Sequence, residues 1–500
     1  MVLAKKIFAK IFAFFVVSKI KKSYPHAAQI QTNTLKDLLN KAKKTKFGTE
    51  HQFNEINCVE EFTDKVPVRD YEEIKKYIDE IKKGSEDVLW PGKPKYLAKT
   101  SGTTSGVKYI PITNESMPNH ILSSRNALLF YIYETGDTSF LNGKTIFLQG
   151  SPVLDEINGI LFGRLSGIVA HHIPSYLKKN NLPSFKTNSI EDWEEKINEI
   201  CSETINENMT TIGGIPSWVQ MYFEILLKKS NKKNITELFK NLSLYVYGGV
   251  NFYPYEKIFS KLLGKKINTI EYYPASEGFF AYQNSQTDRS LLLQYNSGIF
   301  YEFIRTDEFE SDNYTRYNLT NVDKGVNYIL VITSNAGLWA YNTGDTVRFT
   351  SLTPPKIIVT VRYKHFISAF GEHVISEEVE QSISELCKEK NIDIIEFTVA
   401  PMINPQNGLP YHEWWIEFDN SNLDLEDISN CLDKKMQKKN IYYKDLVKGK
   451  VLNRLKIVEV KKGVFNLYMK SLGKFGGQNK VPKLSNDRNF VEGLKKFSKK

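Results

Sequence analysis

The sequence predicts an α/β protein with a large N-terminal domain, in which helices flank β-sheets, and a small α+β C-terminal domain. Helix-like and strand-like segments alternate as far as Phe349, which is typical of an α/β body. The chain has 500 residues, too many for one ordinary domain at ~150 residues each. Because the pattern changes after Phe349, we predict domains at residues 1–355 and 356–500.

Helices in the first domain are predicted where apolar residues recur at helical spacing. Residues 70–83 place Ile74, Tyr77, Ile78 and Ile81 on one face. A second helix is predicted to open at residues 189–192 (SIED), which form a capping-box pattern, and to run through Ile200.

Strands are predicted where short β-rich runs precede a Gly, Pro or Ser turn. They lie at residues 145–148, 244–247, 269–272 and 328–332. Loops that follow such strands are where binding and catalytic residues concentrate.

The second domain begins where prolines interrupt the pattern. Residues 351–355 (SLTPP) are expected to break regular structure. A helix at 377–390 and alternating segments at 396–399 and 411–418 then predict a compact α+β unit. Trp414 and Trp415 are neighbours in the last segment, so one ring is expected in the core and the other partly exposed.

Composition and charge exclude several classes of protein. Hydrophobic residues at 41% and charged residues at 25% are near globular averages, which excludes disordered and collagen-like chains. The net charge is +10, but residues 431–500 hold 20 Lys or Arg and 5 Asp or Glu, so the rest of the chain is acidic. We therefore expect no nucleic-acid partner, and a basic C-terminal domain that meets an anionic ligand.

The cysteines and residues 1–22 indicate where in the cell the protein is expected. The four cysteines form no CxxC pair, which predicts a reducing, cytoplasmic location without structural zinc. No run of about 18 uncharged apolar residues occurs, so no membrane span is expected. The basic, apolar residues 1–22 lack a small-x-small cleavage site after Val17. We favour a first helix packed on the body over a secretion signal or a membrane-surface anchor.

A Ser/Thr/Gly loop is the first candidate site. Residues 100–108 (TSGTTSGVK) combine small residues, which let backbone N–H groups approach phosphate oxygens, with hydroxyl donors and Lys108. The spacing does not match the GxxxxGK[ST] P-loop. A flexible solvated turn would account for the segment equally well.

Two acidic residues at strand ends are further candidates. Glu277, in residues 272–278 (YYPASEG), is suited to hold Mg²⁺ on a nucleotide while an aromatic ring stacks on the base. Asp345, in residues 341–349 (YNTGDTVRF), is an acceptor suited to paired ribose hydroxyls. Ordinary turns with solvated acids remain open as interpretations of both.

In this order, the three motifs resemble those of the adenylate-forming superfamily, and most closely its acyl-acid amido synthetase branch, the Gretchen Hagen auxin-responsive family and its bacterial relatives. Residues 67–74 resemble that family's Pro-x-x-x-Tyr-Glu-x-Ile segment, and residues 213–218 its Gly-x-Pro-Ser-Trp segment. Residues 478–482 (QNKVP) are similar to its Gln-x-Lys-x-Pro element. The resemblance spans nearly the whole chain and implies a large adenylate-forming domain with a small mobile C-terminal domain.

The resemblance implies nucleotide-binding roles for several groups of residues. The family's phosphate loop corresponds to Ser101, Gly102, Thr103 and Thr104, and its nucleotide and Mg²⁺ motif corresponds to Ala275, Ser276, Glu277 and Gly278. The small residues beside the adenine correspond to Gly248 and Gly249, the tyrosine beside the base to Tyr273, and the ribose-binding acid to Asp345. Ser105 stands where the wider superfamily commonly has glycine.

Catalytic roles follow from the same resemblance. Lys480 resembles the lysine that the small domain swings onto the reacting phosphate and carboxylate, Arg362 resembles the hinge arginine, and Glu277 would hold the metal. Val361 replaces the glycine that precedes the arginine in many relatives. Leu148, Trp218 and Phe252 adjoin the proposed loops and are candidates for the acyl pocket, although core packing would also account for them.

The resemblance implies an enzyme with ATP and Mg²⁺ as cofactors. It would be a monomeric ligase that adenylates a small carboxylic acid and transfers the acyl group to an amine, such as an amino acid. Two other hypotheses remain open. One is an acyl-CoA ligase, with coenzyme A as the acceptor, and the other is a non-catalytic protein that binds nucleotide or a membrane surface.

Overall fold

The computed structural model describes the chain except for residues 1, 102–106, 174–177, 251, 253–254, 310–313, 361–365, 368, 373, 420–422, 473–480 and 499–500. The large domain contains the helices α1 (Val2–Ser23), α2 (Ala27–Ala42), α3 (Lys46–Glu50), α4 (Val59–Lys65), α5 (Tyr71–Lys82), α6 (Met117–Thr135), α7 (Leu165–Ala170), α8 (Phe185–Asn188), α9 (Trp193–Thr204), α10 (Pro216–Ser230), α11 (Ile235–Leu238) and α12 (Glu256–Leu263). The small domain contains α13 (Ser376–Lys390), α14 (Leu425–Lys439), α15 (Ile441–Lys448), α16 (Val464–Ser471) and α17 (Asn489–Ser498).

Two helix starts show how local sequence sets these bounds. Asp70 accepts hydrogen bonds from the first turn of α5, and the Glu73 side chain accepts one from the Asp70 backbone N–H, so the predicted helix has a complete capping box. The predicted opening at Ser189 is wrong. Helix α9 begins three residues later because Asp192 accepts a hydrogen bond from the backbone N of Glu195 at 2.8 Å, whereas Ser189 ends α8.

A large mixed sheet forms the centre of the first domain. Its strands are β3 (Lys144–Leu148), β6 (Asn181–Leu182), β7 (Met209–Gly214), β8 (Leu244–Gly248), β9 (Asn268–Ala275), β10 (Gly278–Gln283), β11 (Leu291–Leu293), β12 (Ile299–Arg305), β13 (Asn327–Ser334), β14 (Tyr341–Leu352) and β15 (Pro355–Val359). They lie in the order β12-β13-β14-β15-β11-β10-β9-β8-β7-β3-β6. Strands β6, β3, β7, β8 and β9 are parallel, and the remaining pairs are antiparallel. All four predicted strands of this domain are present.

Smaller sheets complete the architecture. The order β2-β1-β5-β4 is found in a second sheet of the large domain, with β1 (Tyr96–Ser101), β2 (Val107–Ile112), β4 (Asp155–Ile157) and β5 (Ile160–Gly163). The small domain has the pair β16 (Phe366–Ile367) and β17 (Val374–Ile375), and a sheet of β18 (Ile394–Met402), β19 (Tyr411–Phe418) and β20 (Lys456–Glu459). The prediction of an α/β body with a smaller α+β unit is confirmed.

The proline-rich segment between β14 and β15 differs from expectation. Leu352 pairs with Pro355, so Thr353 and Pro354 form a tight hairpin turn and the sheet does not end there. Strand β15 also pairs with β11, and the large sheet therefore continues to Val359. The division of the chain near residue 355 remains a proposal.

The small domain buries apolar side chains on both faces of its sheet. Trp414 packs in a cluster with residues of α13 and α14, whereas Trp415 packs under α16 and α17. Their exposed fractions are 0% and 4%, so the expectation that one ring would be partly exposed is wrong. The period of two was correct, but helices cover both faces.

Helix α1 packs against α6, in agreement with the prediction of a first helix packed on the body. Ala13 and Val17 lie at this contact and are fully buried. Within the part of the chain that the structure describes, no helix combines the length and apolarity that a membrane crossing requires.

Candidate active site

The candidate site lies where neighbouring parallel strands end. Because β3, β7, β8 and β9 run in the same direction, their carboxyl ends meet at one edge of the sheet. This edge is the usual place for ligands in open α/β sheets. It carries Leu148, Gly214, Gly248 and Ala275 as the last strand residues.

The two glycines at the end of β8 have different surroundings: Gly248 is crowded by β9, and Gly249 is not crowded by the described residues. Gly248 pairs with Tyr272 of β9, and a Cβ on Gly248 would lie 2.5 Å from the Tyr272 carbonyl oxygen, so no larger residue fits. Gly249 has a φ of +81°, which favours glycine, and a Cβ there would meet no described residue within 4 Å. The backbone beside β9 is thus accessible to a flat ligand.

Ser276 and Glu277 form the turn between β9 and β10. Ala275 pairs with Gly278 across the turn, which fixes where the Glu277 carboxylate is presented. The Tyr341 hydroxyl lies 3.5 Å from Glu277 Oε1. This separation places Tyr341, the first residue of the third motif, beside the second motif.

Asn119 of α6 holds the same hairpin from behind. Phe279 N donates to Asn119 Oδ1 at 2.6 Å, and Asn119 Nδ2 donates to Phe279 O at 3.2 Å. Strand β11 pairs with β10 only over Ala281 to Gln283, so at Phe279 the side-chain amide takes the place of a neighbouring strand. A buried amide therefore anchors the turn that carries Glu277.

Tyr273 joins the second motif to the third. Its hydroxyl donates to Asp345 Oδ2 at 2.7 Å, and both side chains are buried. The Tyr273 ring also packs edge-on against Phe280, with ring centroids 5.1 Å apart. Asp345 is thus oriented by a residue 72 positions earlier in the chain. A role for the Tyr273 ring beside a nucleotide base stays a prediction.

Asp345 lies near the start of β14, in a stretch held by local and distant contacts. Asn342 Oδ1 accepts from Gly344 N at 2.8 Å, and Thr343 Oγ1 accepts from Asp345 N at 3.2 Å. Arg69 pairs with Tyr341 through its backbone, which ties the segment before α5 to this stretch. The NTGD stretch is therefore part of a strand with a buried Asp345, and not a solvated turn.

Helix α6 contributes site residues that the sequence analysis missed. A small cavity beside Ser276 and Glu277 is also lined by Ser116, Asn119 and His120. Burial lowers the pKa of His120 to about 4, so its imidazole is neutral at physiological pH. A single histidine in an apolar helix gives no sequence signal, because its neighbours at the site are about 160 residues away.

The three acyl-pocket candidates share one apolar cluster. Leu148 is a buried member of it, and Trp218 and Phe252 pack against it while remaining partly exposed. Phe252 lies against Tyr247, with ring centroids 4.6 Å apart. Trp218 also packs against the main cluster of the small domain. The structure brings these residues together, and their contact with a substrate stays a prediction.

Lys196 is a further residue that the sequence analysis missed. Its Nζ donates to the carbonyl oxygen of Asn188 at 2.6 Å and lies 3.4 Å from that of Gln149, the residue after Leu148. Burial lowers the pKa of Lys196 to about 8. The lysine fixes the loop after β3 near the apolar cluster.

The small domain contacts the strand that leads into the phosphate-loop segment. The Tyr442 hydroxyl of α15 donates to Lys99 O at 3.2 Å. Arg164 Nη2 lies 2.6 Å from Asp445 Oδ2, and its guanidinium covers the Tyr442 ring at 4.5 Å. These contacts place α15 beside Lys99, which lies two residues before Ser101 in the sequence.

Several predicted residues lie outside the described part of the chain. They are Gly102, Thr103, Thr104, Arg362 and Lys480. Ser101 is the last residue of β1 and pairs with Val107, which opens the strand on the other side of the loop. The proposed phosphate loop thus connects two paired strands.

The donor groups fit a Mg²⁺ ion that is bound together with ATP. Mg²⁺ prefers oxygen and is commonly held by one or two carboxylates plus phosphate oxygens. Among the described residues, no group of three or more His, Cys, Asp or Glu could hold a metal. The Glu277 carboxylate is suited to be one ligand of such an ion.

Three family models match the chain in order. The GH3 family N-terminal domain matches residues 16–191, the GH3 family central domain matches residues 292–362, and the GH3 family C-terminal domain matches residues 377–489. A jasmonoyl–L-amino acid synthetase of Nicotiana attenuata is 22% identical, over 97% of this chain and 96% of the relative.

Solved structures share the fold. An acyl acid amido synthetase in complex with 2,4-DB has a TM-score of 0.61 at 17% identity and covers 97% of this chain and 96% of its own. A 2-hydroxyisobutyryl-CoA ligase in the thioesterification state has a TM-score of 0.60 at 11% identity, with 94% and 92% coverage. At these identities the likeness shows the fold alone.

Proposed function

The chain belongs to the GH3 family, and from this premise we propose that it is an ATP-dependent acyl-acid amido synthetase. The enzyme joins a small carboxylic acid to the α-phosphate of ATP with release of pyrophosphate. It then transfers the acyl group from AMP to an amine, which we propose to be an amino acid.

One observation supports this proposal more than any other. The hydrogen bond between Tyr273 and Asp345 joins two motifs that are distant in the sequence, at the edge where the parallel strands end. Asp345 would accept the ribose hydroxyls, and the open backbone at Gly249 would admit the adenine. Glu277, at the turn between β9 and β10, would face the phosphates.

The adenylation step needs positive charge more than a protein nucleophile. A carboxylate that attacks a phosphate brings two anions together, so catalysis rests on positioning and electrostatic stabilisation. We propose that Lys480 reaches the reacting groups from the basic small domain, while Ser101, Gly102, Thr103 and Thr104 donate hydrogen bonds to the phosphates. A bound Mg²⁺, held in part by Glu277, supplies charge neutralisation.

The transfer step requires the small domain to move. The acyl-adenylate is a mixed anhydride that water would hydrolyse, so the amine must enter a closed site. In the proposal the small domain turns about the segment that contains Arg362 and withdraws Lys480. The contacts of Tyr442 and Asp445 with the large domain would then separate.

An apolar cluster beside the site bears on which acid the enzyme accepts. Leu148, Trp218 and Phe252 would form an apolar acyl pocket, in keeping with a small aromatic or alicyclic acid. The relative named above conjugates a jasmonoyl group to an amino acid, and its resemblance favours an amine over coenzyme A as the acceptor. The four free thiols suit a reducing compartment, and we keep a cytoplasmic monomer as the proposal.

Exchange of labelled pyrophosphate into ATP tests the first half-reaction. The enzyme, Mg²⁺ and a panel of aryl, indolyl and aliphatic acids are combined without an acceptor. Exchange that depends on one class of acid is expected. Amino acids or coenzyme A are then added, and amino acids should increase AMP formation whereas coenzyme A should not. The reverse pattern would establish an acyl-CoA ligase.

Two variants connect the activity to the site. Glu277→Gln keeps the shape of the side chain but removes its charge, so exchange should fall about 10- to 100-fold and require more Mg²⁺. Asp345→Asn should raise the KM for ATP. Glu86→Gln, on an exposed carboxylate far from these motifs, is the matched control. If all three variants retain normal exchange, Glu277 and Asp345 do not bind the nucleotide.

A further inference from the structure

Helix α1 is basic throughout and apolar on two faces. Residues 2–23 contain six lysines and no acidic residue. Ala13 and Val17 are fully buried against α6, which accounts for one apolar face. The family match begins at residue 16, so most of the helix precedes the part of the chain that the family model describes.

The second apolar face of α1 is exposed. Phe8 and Phe15 are 69% and 66% exposed, Phe14 is 56% exposed, and Ile7 and Ile11 are each 51% exposed. At about 100° per residue these side chains share one side of the helix, opposite Ala13 and Val17. Single exposed apolar residues are ordinary, whereas a contiguous apolar patch marks an interaction surface.

Helix α6 extends this patch. Leu122 and Tyr133 of α6 are 43% and 37% exposed. The Tyr133 ring stacks on Phe14, with ring centroids 6.3 Å apart, and Lys21 Nζ lies 4.2 Å from the centre of the same ring. Tyr133 thus joins the exposed face of α1, and by helical geometry Leu122 lies on the same side of α6 as Tyr133.

Four of the six lysines border the exposed face, and Lys22 falls within it, after the apolar residues. By the same helical geometry, Lys10 and Lys21 fall along one border, and Lys5 and Lys19 fall along the other. Lys5 Nζ donates to Leu141 O at 3.0 Å, which places that border next to the body of the protein. Apolar side chains flanked by lysines are the arrangement of helices that lie in a membrane interface.

We propose that the α1–α6 surface, formed by the exposed face of α1 with Leu122 and Tyr133, docks on an anionic lipid membrane. The phenylalanines and isoleucines would enter the boundary between headgroups and acyl chains, and the lysines would meet the lipid phosphates. A second copy of this chain suits the surface less well. A twofold contact would oppose one lysine-rich helix to another, without any acid on α1 to compensate. The proposal does not depend on the proposed enzymatic activity.

Co-sedimentation of the full chain with vesicles tests the proposal. Vesicles of phosphatidylcholine alone are compared with vesicles that also contain phosphatidylserine. The protein should sediment with the anionic vesicles and much less with the neutral ones, and salt should release it because exposed charges are screened. No sedimentation with anionic vesicles at low salt would overturn the proposal.

Matched variants separate the apolar contribution from the ionic one. The double variant Phe8→Ser and Phe15→Ser should weaken vesicle binding at least tenfold, whereas Phe185→Ser, on a side chain that is 62% exposed elsewhere, should not. Lys19→Gln with Lys22→Gln should weaken binding to anionic vesicles about 30-fold. Loss of binding in the Phe185 variant, or normal binding in both α1 variants, would contradict the proposal.

Two further measurements distinguish lipid binding from self-association and from unfolding. Sedimentation velocity without vesicles shows whether the chain self-associates. If it forms a dimer that the Phe8 and Phe15 substitutions dissociate, and if vesicles do not bind, the surface is an interface between copies. Circular dichroism shows whether each variant is folded, and an α1 variant that loses vesicle binding while its spectrum is unchanged supports the proposal.

Discussion

Removal of the Asn119 amide should loosen the turn that carries Glu277. In Asn119→Ala the buried N–H and C=O of Phe279 lose the partners that the amide gives them. An orphaned buried group costs about 1 to 3 kcal/mol, so the two groups together cost about 2 to 6 kcal/mol. Water in the space left by the amide would satisfy part of this demand. We therefore expect the local free energy of opening to fall by about 2 to 4 kcal/mol.

Hydrogen exchange measured by mass spectrometry gives this local free energy directly. A loss of about 2 to 4 kcal/mol should speed amide exchange in residues 276–283 roughly 30- to 700-fold. Asn126→Ala is the matched control, because Asn126 lies in the same helix and its side chain is bonded only by the neighbouring Arg125 among the contacts described. If exchange in this segment is within threefold for the two variants, Asn119 does not hold the hairpin. Pyrophosphate exchange should fall with the same variant, because Glu277 would lose its fixed position.

Three further predictions concern other contacts of the site. Tyr273→Phe removes the donor to Asp345 and should raise the KM for ATP about tenfold with a smaller change in kcat. Tyr272→Phe is the control, and equal effects of the two substitutions would refute a role for the Tyr273–Asp345 hydrogen bond in ATP binding. Burial raises the pKa of Glu271 from 4.5 to about 7, so its protonation stabilises the fold below about pH 4.5, and this stability, about 3 kcal/mol, is lost as the pH rises through 7. Glu271→Gln should abolish that loss in calorimetric unfolding between pH 4.5 and 8, and an unchanged pH profile would contradict the assignment. Asp445→Asn breaks an exposed ion pair with Arg164, so the population of molecules in which α15 contacts β1 should fall at most about fivefold. Distances between spin labels on the two domains measure this population. A complete change of arrangement would show that this pair alone fixes the small domain.

Local sequence patterns predicted four strands of the large domain. The run before Tyr273 is a strand because its β-branched and aromatic residues suit a pleated, buried surface, and Glu277 follows at the turn as expected. Asp345 was selected from its own motif, and the structure brings it to Tyr273. The loop glycines and Lys480 stay predictions.

Contacts between distant segments account for what the sequence could not show. Asn119 serves the hairpin only because α6 crosses behind it, and no spacing in the helix reveals a partner 160 residues away. Trp415 is buried because α16 and α17 cover the second face of the sheet, which the alternation of a single strand does not record. The start of α9 was misplaced because two capping residues compete and only the folded chain selects Asp192.

The buried side of α1 limits how this protein could lose its hydrophobic surface during evolution. Deletion of the helix would remove Ala13 and Val17 from the apolar cluster that they form with residues of α6. The apolar side of α6 that α1 now covers would then face water, and α6 is the helix that anchors the β9–β10 hairpin. Gradual replacement of Phe8 and its neighbours by polar residues would avoid this cost. Descendants that gave up the surface should therefore retain the helix and change only its outer side chains.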